Sequence, residues 1–459
     1  MTAPRRDGCN DWRMTRRRVA SQAGRMMPIP ADALDGLAEF ERQGGLTRKN
    51  LLERGAGLVL MAGAASALGP RAILESAAAQ QAASPNGAIL VSLYLDGGND
   101  FINTFIPITD PQYRQRRKRI AIPADQILPV SGSSEFGWHP SMSGIAGLYD
   151  QGKVAVLPAV DYAQPDQSHF NSQGYWQRGV VGPTLDRTGW LGRTLDLIGT
   201  RNNPLQGVSV SWGLDPTLIA RKAPIGTVYE PSYFGLGIPE VWDGKGFTKL
   251  YREAARGSHS RARQAVSQAY NNAFRMVDML KPLQGDPNKL PPTPVEYPDS
   301  YLGKGMRNAA RILGAGLGTR VLSLSRGGFD THDDQPDEHT ELLKDVSDSV
   351  TAFQADIQAR GLADRVVVMI WSEFGRRPDD NDGNGTDHGA GGGLMLVGNR
   401  VNGGIRSEFP GLTSLDSDDN LKVTTEFRTV YASLLESWMG VEASKILPKM
   451  DSRRLPLIR

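Results

Sequence analysis

The sequence predicts an α/β protein with a mostly parallel central sheet and helices on both faces. Short apolar runs alternate along the chain with longer stretches whose apolar residues recur every three or four positions. The short runs fit strands that are covered on both faces, and the longer stretches fit amphipathic helices. Strands that alternate with helices indicate one doubly wound domain.

Six apolar segments are predicted as strands. The first is the run AILVSLYLD that starts at Ala88 and breaks at two glycines. The others are Val154–Val160, Val208–Ser211, Arg320–Ser325, Arg365–Trp371 and Leu394–Val397. Helical patterns lie between them, at Met142–Tyr149, Thr248–Leu280, Tyr301–Leu313, Gln335–Arg360 and Thr425–Trp438. The region from Trp212 to Pro298 mixes glycine, proline and aromatic residues, which indicates an insertion or cap.

Residues 1–83 are interpreted as a leader with an export signal. Arg48 and Lys49 precede the apolar run Ala56–Leu68, and a small-residue stretch, Ala77–Ala83, follows. These are the three parts of a secretory signal, and the apolar part is too short to span a bilayer. The pattern is similar to a twin-arginine signal with Lys49 in place of the second arginine. We therefore expect a single soluble domain, residues 84–459, that is exported to the periplasm or the outside and has no transmembrane segment.

Charge and cysteine content restrict the chemistry. The formal net charge is +2, and positive charge gathers in the leader instead of the body of the chain, which argues against nucleic acid as a partner. Cys9, the single cysteine, also lies in the leader. A metal ion in the mature domain must therefore be held by His, Asp, Glu, Asn or Ser/Thr side chains.

Polar groups follow four of the predicted strands. Asp96 and Asp100 flank two glycines after the first strand, and either is a candidate metal ligand. Ser168 stands at a helix start after the second strand, where it could be a simple N-cap or a nucleophile assisted by the helix N-terminus.

The other two clusters contain histidine. Asp330 and His332 project to the same side of extended backbone and could bind one ion, and His339, seven residues beyond His332, could assist them. Beyond the strand Arg365–Trp371 come Glu373, Asp387 and His388, in a loop rich in glycine and aspartate. Mixed oxygen and nitrogen donors suit a divalent metal. Arg376 could clamp an anionic substrate group or form a surface ion pair.

Several motifs together resemble one bacterial family. LDGGNDFINTFIP, SHFNSQGYWQRG, FDTHDDQ, SEFGRR and GTDHGAGG occur in this order between about Ala88 and Gly440. They are similar to the exported family called domain of unknown function 1501, which is grouped with the alkaline phosphatase and sulfatase superfamily. The resemblance implies the superfamily's α/β sandwich and its metal centre. It also implies that Asp96 or Asp100 is the first-strand ligand and that Ser168 occupies the nucleophile position.

The same resemblance places Asp330 and His332 at the next metal pair and His388 at the late histidine. Two departures from the superfamily pattern stand out. Glu373-Phe374 replaces an Asp-His pair, and Ser168 lacks the Cys/Ser-x-Pro-x-Arg context that sulfatases require.

The sequence thus predicts a metal-dependent hydrolase of phosphate or sulfate esters. One or two divalent ions (Zn, Ca, Mn or Mg) would activate the Ser168 hydroxyl, and Arg376 would hold the substrate. The substrate would be a small-molecule or polymer-borne anionic ester. Two alternatives remain open: a catalytically degraded member of the fold that acts as an exported binding or assembly component, and a structural metal-binding protein. The oligomeric state is not predicted.

Overall fold

The computed structural model describes residues 87–235, 261–285, 293–448, 450 and 453–459. These residues all fall within one compact unit, Met61–Arg459. The predicted leader with its export signal lies outside the described residues. So do the first part of the helix predicted from Thr248 and much of the predicted Trp212–Pro298 insertion, residues 236–260 and 286–292.

Nine strands form the central sheet in the described part of the chain, and three more form a small antiparallel sheet beside it. The central strands are β1 (Ile89–Asp96), β5 (Val154–Asp161), β6 (Gly207–Ser209), β7 (Gly226–Thr227), β8 (Val321–Gly327), β9 (Val366–Trp371), β10 (Gly392–Val397), β11 (Gly404–Ile405) and β12 (Thr425–Glu426). The small sheet contains β2 (Phe105–Ile106), β3 (Leu128–Val130) and β4 (Ser133–Trp138).

The helices are α1 (Phe101–Thr104), α2 (Pro111–Arg116), α3 (Ser143–Asp150), α4 (His169–Arg178), α5 (Trp190–Ile198), α6 (Arg261–Leu280), α7 (Tyr301–Gly314), α8 (Gln335–Ala359) and α9 (Phe427–Ser437). The described helix α8 ends one residue before its predicted end, and α7 ends one residue after. No helix among the described residues has the length and hydropathy to cross a membrane.

The central sheet has the order β11-β5-β10-β9-β1-β8-β6-β7, with β12 also beside β5. Strand β1 runs parallel to both β8 and β9, whereas β10 is antiparallel to β9 and to β5. The mostly parallel sheet predicted from the sequence is therefore confirmed. Because of these directions, the carboxyl ends of β1, β5, β8 and β9 share one edge with the amino end of β10.

Helices cover both faces of the sheet, as the sequence predicts. Alternate residues of β1 enter different cores because successive side chains of a strand point to opposite faces. Val91 and Leu93 belong to the core that contains residues of α3, α7 and α8. Leu90 and Tyr94 belong to the core that contains residues of α4, α5 and α9.

A sharp turn after β1 brings that strand's end against the end of β8. Gly97 has φ +122° and Gly98 has φ +74°, backbone values that residues other than glycine rarely adopt. A Cβ atom on Gly97 would lie 2.3 Å from the backbone nitrogen of Asp330. The glycines that follow β1 therefore permit a backbone contact that places two polar segments side by side.

Candidate metal centre

Three groups from different loops meet at the shared edge of the sheet. Asp330 follows β8, His388 precedes β10, and His169 is the first residue of α4, which follows β5. One ligand atom from each lies within 4.8 Å of those from the others, so this group could hold a metal ion. An isolated antiparallel bridge between Arg376 and His388 holds His388 in place; both residues lie in the loop that connects β9 with β10.

A fourth residue, His332, completes the convergence on one carboxylate oxygen. The Nε2 atoms of His332 and His388 each lie 3.0 Å from Asp330 Oδ1. His169 Nε2 lies 3.4 Å from the same oxygen. The Nε2 atoms of His332 and His388 are also 3.0 Å apart. Three imidazoles therefore turn the same nitrogen toward one point.

The opposite nitrogen of each ring faces an acceptor. His169 Nδ1 lies 2.7 Å from Glu373 Oε1, and His388 Nδ1 lies 2.9 Å from the backbone oxygen of Gln167. His332 Nδ1 lies 3.3 Å from Asp387 Oδ1. Because carboxylate and carbonyl oxygens only accept, each neutral ring donates from Nδ1 and keeps a lone pair on Nε2. Metal-binding histidines are oriented in this way by outer acceptors.

The donor set fits a divalent ion. His169 Nε2 is buried and has no hydrogen-bond partner. The Nε2 atoms of His332 and His388, 3.0 Å apart, require either a proton or a metal ion between them. Zinc–nitrogen bonds of about 2.0–2.1 Å in tetrahedral geometry separate the ligand atoms by roughly 3.3 Å. The three separations from Asp330 Oδ1 and the one between His332 and His388, 3.0 to 3.4 Å, are close to that value.

The charges of the cluster shift its pKa values. Burial opposes ionisation of Asp330, but the close approach of His169, His332 and His388 and the charge of Arg376 hold the pKa of its carboxyl well below the usual range. Burial also lowers the pKa of His169, yet its contacts with Asp330 and Glu373 outweigh this and raise that pKa to about 9. The site therefore favours positive charge beside the two carboxylates, whether this is carried by protons or by a metal ion.

Arg376 is buried on the protein side of the cluster and does not face solvent. Its side chain has no solvent exposure, and Nη2 lies 2.6 Å from Asp330 Oδ1. The remaining donors bind backbone oxygens of Gly97, Gly98, Phe329 and Thr386. This differs from the substrate clamp expected from the sequence, because a guanidinium with these partners orients Asp330 and ties three loops together.

Glu373 is also buried behind the cluster. Its carboxylate accepts hydrogen bonds from the backbone nitrogens of Gly97 and Gly98, at 3.1 and 3.0 Å. It also accepts from Ser372 and faces His169 Nδ1. Glu373 therefore supports a histidine from the outer layer, as Asp387 does for His332, and neither side chain points its carboxylate at Asp330 Oδ1.

The two aspartates after β1 have separate environments. Asp100 is buried in an ion pair with Arg117, accepts a hydrogen bond from Gln335 and caps α1. Asp96 ends β1, where its Oδ1 accepts a hydrogen bond from the Tyr94 hydroxyl at 3.0 Å. Burial of its carboxyl group and the charge of Glu373 raise the pKa of Asp96. Of the pair, only Asp96 remains a candidate for chemistry at the cluster.

The Ser168 side chain accepts a long hydrogen bond, 3.5 Å, from the backbone nitrogen of Asn171 and so caps α4. His339 lies apart from the cluster and bonds Asn99 Oδ1 through Nε2. The residue that sequence reasoning missed is His169. His169 could have been considered because it stands beside Ser168 at the start of a helix that follows a strand. The sequence does not show, however, which of these two side chains faces the other loops.

Fold and cluster together define an α/β protein with a candidate metal centre at the carboxyl edge of its sheet. The chain belongs to the family described as "Protein of unknown function (DUF1501)", whose family model matches residues 164–437. No curated protein matches the sequence significantly.

Comparison with solved structures finds weak similarity to several proteins, among them a sulfatase and a phosphonate monoester hydrolase. The protein Ps i-CgsB, solved in complex with k-i-k-neocarrahexaose, is 13% identical, with coverage of 79% of this chain and 74% of that one and a TM-score of 0.33. The PsFucS1 sulfatase from Pseudoalteromonas sp. is 11% identical, with coverage of 81% and 71% and a TM-score of 0.33. The phosphonate monoester hydrolase SpPMH from Silicibacter pomeroyi is 9% identical, with coverage of 80% and 78% and a TM-score of 0.28.

Proposed function

We propose that this chain is a metal-dependent hydrolase of phosphate or sulfate esters. In this proposal His169, His332, His388 and Asp330 hold one divalent ion. The observation that carries it is the convergence of three Nε2 atoms on Asp330 Oδ1 while each Nδ1 faces an acceptor. The ester class follows from the resemblance of the sequence motifs to the alkaline phosphatase and sulfatase superfamily.

Zinc is the ion that we assign to the site. Imidazole nitrogens suit zinc and other late transition metals, whereas calcium and magnesium prefer oxygen ligands. The sequence alone left Zn, Ca, Mn and Mg open, and three imidazoles in the donor set favour zinc. When bound, such an ion polarises the ester and stabilises the negative charge that develops during displacement.

The side chains around the ion have distinct proposed roles. Arg376 and Glu373 fix the orientations of Asp330 and His169 from behind. Ser168 supplies the nucleophile at the N-terminus of α4, where the helix dipole favours an alkoxide. Its oxygen attacks the phosphorus or sulfur atom as the bond to the leaving alkoxide breaks. The Ser168 proton passes to Asp96, the alkoxide takes a proton from water, and the hydroxide that remains takes the proton from Asp96. Water then hydrolyses the covalent ester and restores the Ser168 hydroxyl.

Two substitutions at Ser168 distinguish its proposed role as the nucleophile from its role as the N-cap of α4. Ser168→Ala removes both roles, whereas Ser168→Asn keeps a good N-cap and removes the hydroxyl. We expect both variants to lose hydrolysis of an aryl phosphate or aryl sulfate, and only Ser168→Ala to lose about 1 kcal/mol of unfolding free energy. Initial rates and urea unfolding measure the two effects. Full turnover by Ser168→Asn would show that water is the direct nucleophile.

Asp96→Asn tests the proton acceptor. The substitution keeps size and hydrogen bonding but removes the basic carboxylate, so we expect kcat to fall by about 10²–10⁴ while zinc content is unchanged. Asp125→Asn, at an exposed aspartate of the loop before β3, is the matched control and should behave as wild type. Loss of zinc from Asp96→Asn would instead make this carboxylate a ligand, as the sequence analysis allowed.

The main alternative is a binding or assembly component whose catalysis has degraded. The sequence argument for it was that Glu373-Phe374 replaces an Asp-His pair. In the structure a histidine is nevertheless present near this position, because His169 reaches the cluster and Glu373 supports it. A zinc-loaded protein that hydrolyses neither aryl phosphates nor aryl sulfates would favour the alternative.

A further inference from the structure

Three aromatic side chains form a stack away from the metal cluster. The rings of Tyr229 and Tyr301 are 4.6 Å apart and nearly parallel, at 8°. Trp212 lies on Tyr229 at 5.1 Å with a 35° tilt. Trp212 is 65% exposed and Tyr301 is 44% exposed, although both are large apolar side chains. Tyr229 is covered by its two neighbours, so the stack offers a flat partner its outer faces, of which that of Trp212 is the most exposed.

The stack lies at the same edge of the sheet as the metal cluster. Trp212 follows β6 by three residues, and Tyr229 follows β7 by two, so both stand just beyond the carboxyl ends of parallel strands. Tyr301 begins α7, which leads into β8 and therefore starts at the edge where that strand ends. Strand β6 is two positions from β1 in the sheet, a separation of about 10 Å.

A cationic side chain, Arg326, lies on β8, the strand between β6 and β1. Arg326 is the register partner of Leu95, one residue before Asp96 and Gly327 pair. The Arg326 guanidinium lies 2.7 Å from Asp345, which also accepts a hydrogen bond from Ser300, the cap of α7. Arg326 is partly exposed. A ligand that spans the edge would thus meet a cation between the aromatic rings and the metal site.

The stack is fixed in position by contacts with α7. The Asn308 amide donates to the backbone oxygen of Tyr229 at 2.8 Å and to Glu230 Oε2 at 3.1 Å. Arg307 lies 4.0 Å from the same carboxylate. The aromatic faces are therefore flanked by a carboxylate and a guanidinium, which offer hydrogen bonds at the rim. A rigid surface loses little conformational entropy when a ligand binds.

We propose that the outer face of this stack, on Trp212, binds a sugar ring of the substrate. A pyranose presents a flat face of C–H groups that stacks on aromatic rings and a rim of hydroxyls that bonds charged and amide side chains. The combination of apolar faces with Glu230 and Arg307 matches both parts. Resting on the proposed function, this makes the substrate a glycan ester, with one ring on the stack and the anionic group toward the metal cluster.

The test is gel retardation by soluble polysaccharides. Gels are cast with dextran, dextran sulfate, carrageenan, heparin or alginate, so that neutral, sulfated and carboxylated chains are all present. We expect the wild-type chain to be retarded by at least one of them. Trp212→Ala should weaken that binding about tenfold or more, as loss of a stacking side chain does for flat ligands. Trp212→Phe should keep most of it, and Leu197→Ala, at an exposed apolar residue of α5, is the matched control.

Each outcome decides the inference. A wild-type chain that no polysaccharide retards, or equal retardation of Trp212→Ala, would overturn it. So would a change of oligomeric state in Trp212→Ala, which would mean that the stack is a contact between copies. His388→Ala should lose hydrolysis and keep retardation. Retardation without hydrolysis by the wild-type chain would support the sugar site while the proposed hydrolase fails, so the two failures are distinguishable.

Discussion

His388→Ala is expected to abolish zinc binding at stoichiometric concentration and, with it, ester hydrolysis. The substitution removes one of three Nε2 atoms that meet at Asp330 Oδ1. It also leaves the backbone oxygen of Gln167 without its side-chain donor. We expect zinc affinity to fall by well over the roughly 10–100-fold that loss of an outer contact costs. Competition with a chelating dye measures the affinity, and initial rates on an aryl ester measure the activity.

Glu373→Gln provides the graded comparison. The amide keeps the shape of the side chain but removes the carboxylate that faces His169 Nδ1. We expect zinc affinity to fall about 10–100-fold, less than in His388→Ala, because only an outer contact is lost. Equal losses in the two variants would contradict the assignment of Glu373 to the outer layer. Near-ultraviolet circular dichroism of both variants in saturating zinc checks that the fold is intact.

Arg117→Ala is expected to cause the largest loss of stability. The ion pair between Arg117 and Asp100 is fully buried, and the guanidinium holds the pKa of Asp100 low despite the opposing effect of burial. Removing one partner leaves an uncompensated buried charge, which costs about 3–5 kcal/mol. Urea unfolding at neutral pH measures the change. The neighbouring Arg116→Ala, which breaks a partly exposed pair with Asp379 and a hydrogen bond to the Leu412 backbone oxygen, is the matched control and should cost clearly less, about 1–2 kcal/mol.

The ion pair between Arg117 and Asp100 is also linked to the metal cluster through Gln335. Gln335 donates to Asp100, and its Oε1 accepts hydrogen bonds from Thr331 and Thr386. These threonines are next in sequence to Asp330 and Asp387. Arg117→Ala should therefore weaken zinc binding as well, whereas Arg116→Ala should not. A destabilised Arg117→Ala variant with wild-type zinc affinity would show that the network serves the fold alone.

The sequence was sufficient to predict the architecture because strands and helices have different periods. The apolar runs that became β1, β5, β8 and β9 are buried on both faces, and their ends mark where polar loops meet. Convergence of Asp330, His332 and His388 could therefore be predicted. The antiparallel direction of β10 could not, since an apolar run reads the same in either direction.

The roles of individual side chains were harder to predict because they depend on side-chain direction. Glu373, Asp387 and Arg376 occur in the same loops as the converging groups, but they support them from behind. Asp100 resembles Asp96 in sequence, yet burial beside Arg117 gives it a structural ion pair. His169 was overlooked because Ser168 offered both a cap and a nucleophile. Spacing shows which loops meet, whereas the choice among neighbouring residues requires coordinates.

The zinc content of the purified full-length chain tests the central claim most directly. The protein is dialysed against a zinc salt and then against metal-free buffer, and its zinc content is measured by elemental mass spectrometry. The convergence of His169, His332 and His388 on Asp330 predicts about one zinc per chain in the wild type, and a content near zero in a His332→Ala, His388→Ala double variant. A folded wild-type chain that retains no more metal than the double variant would contradict the account.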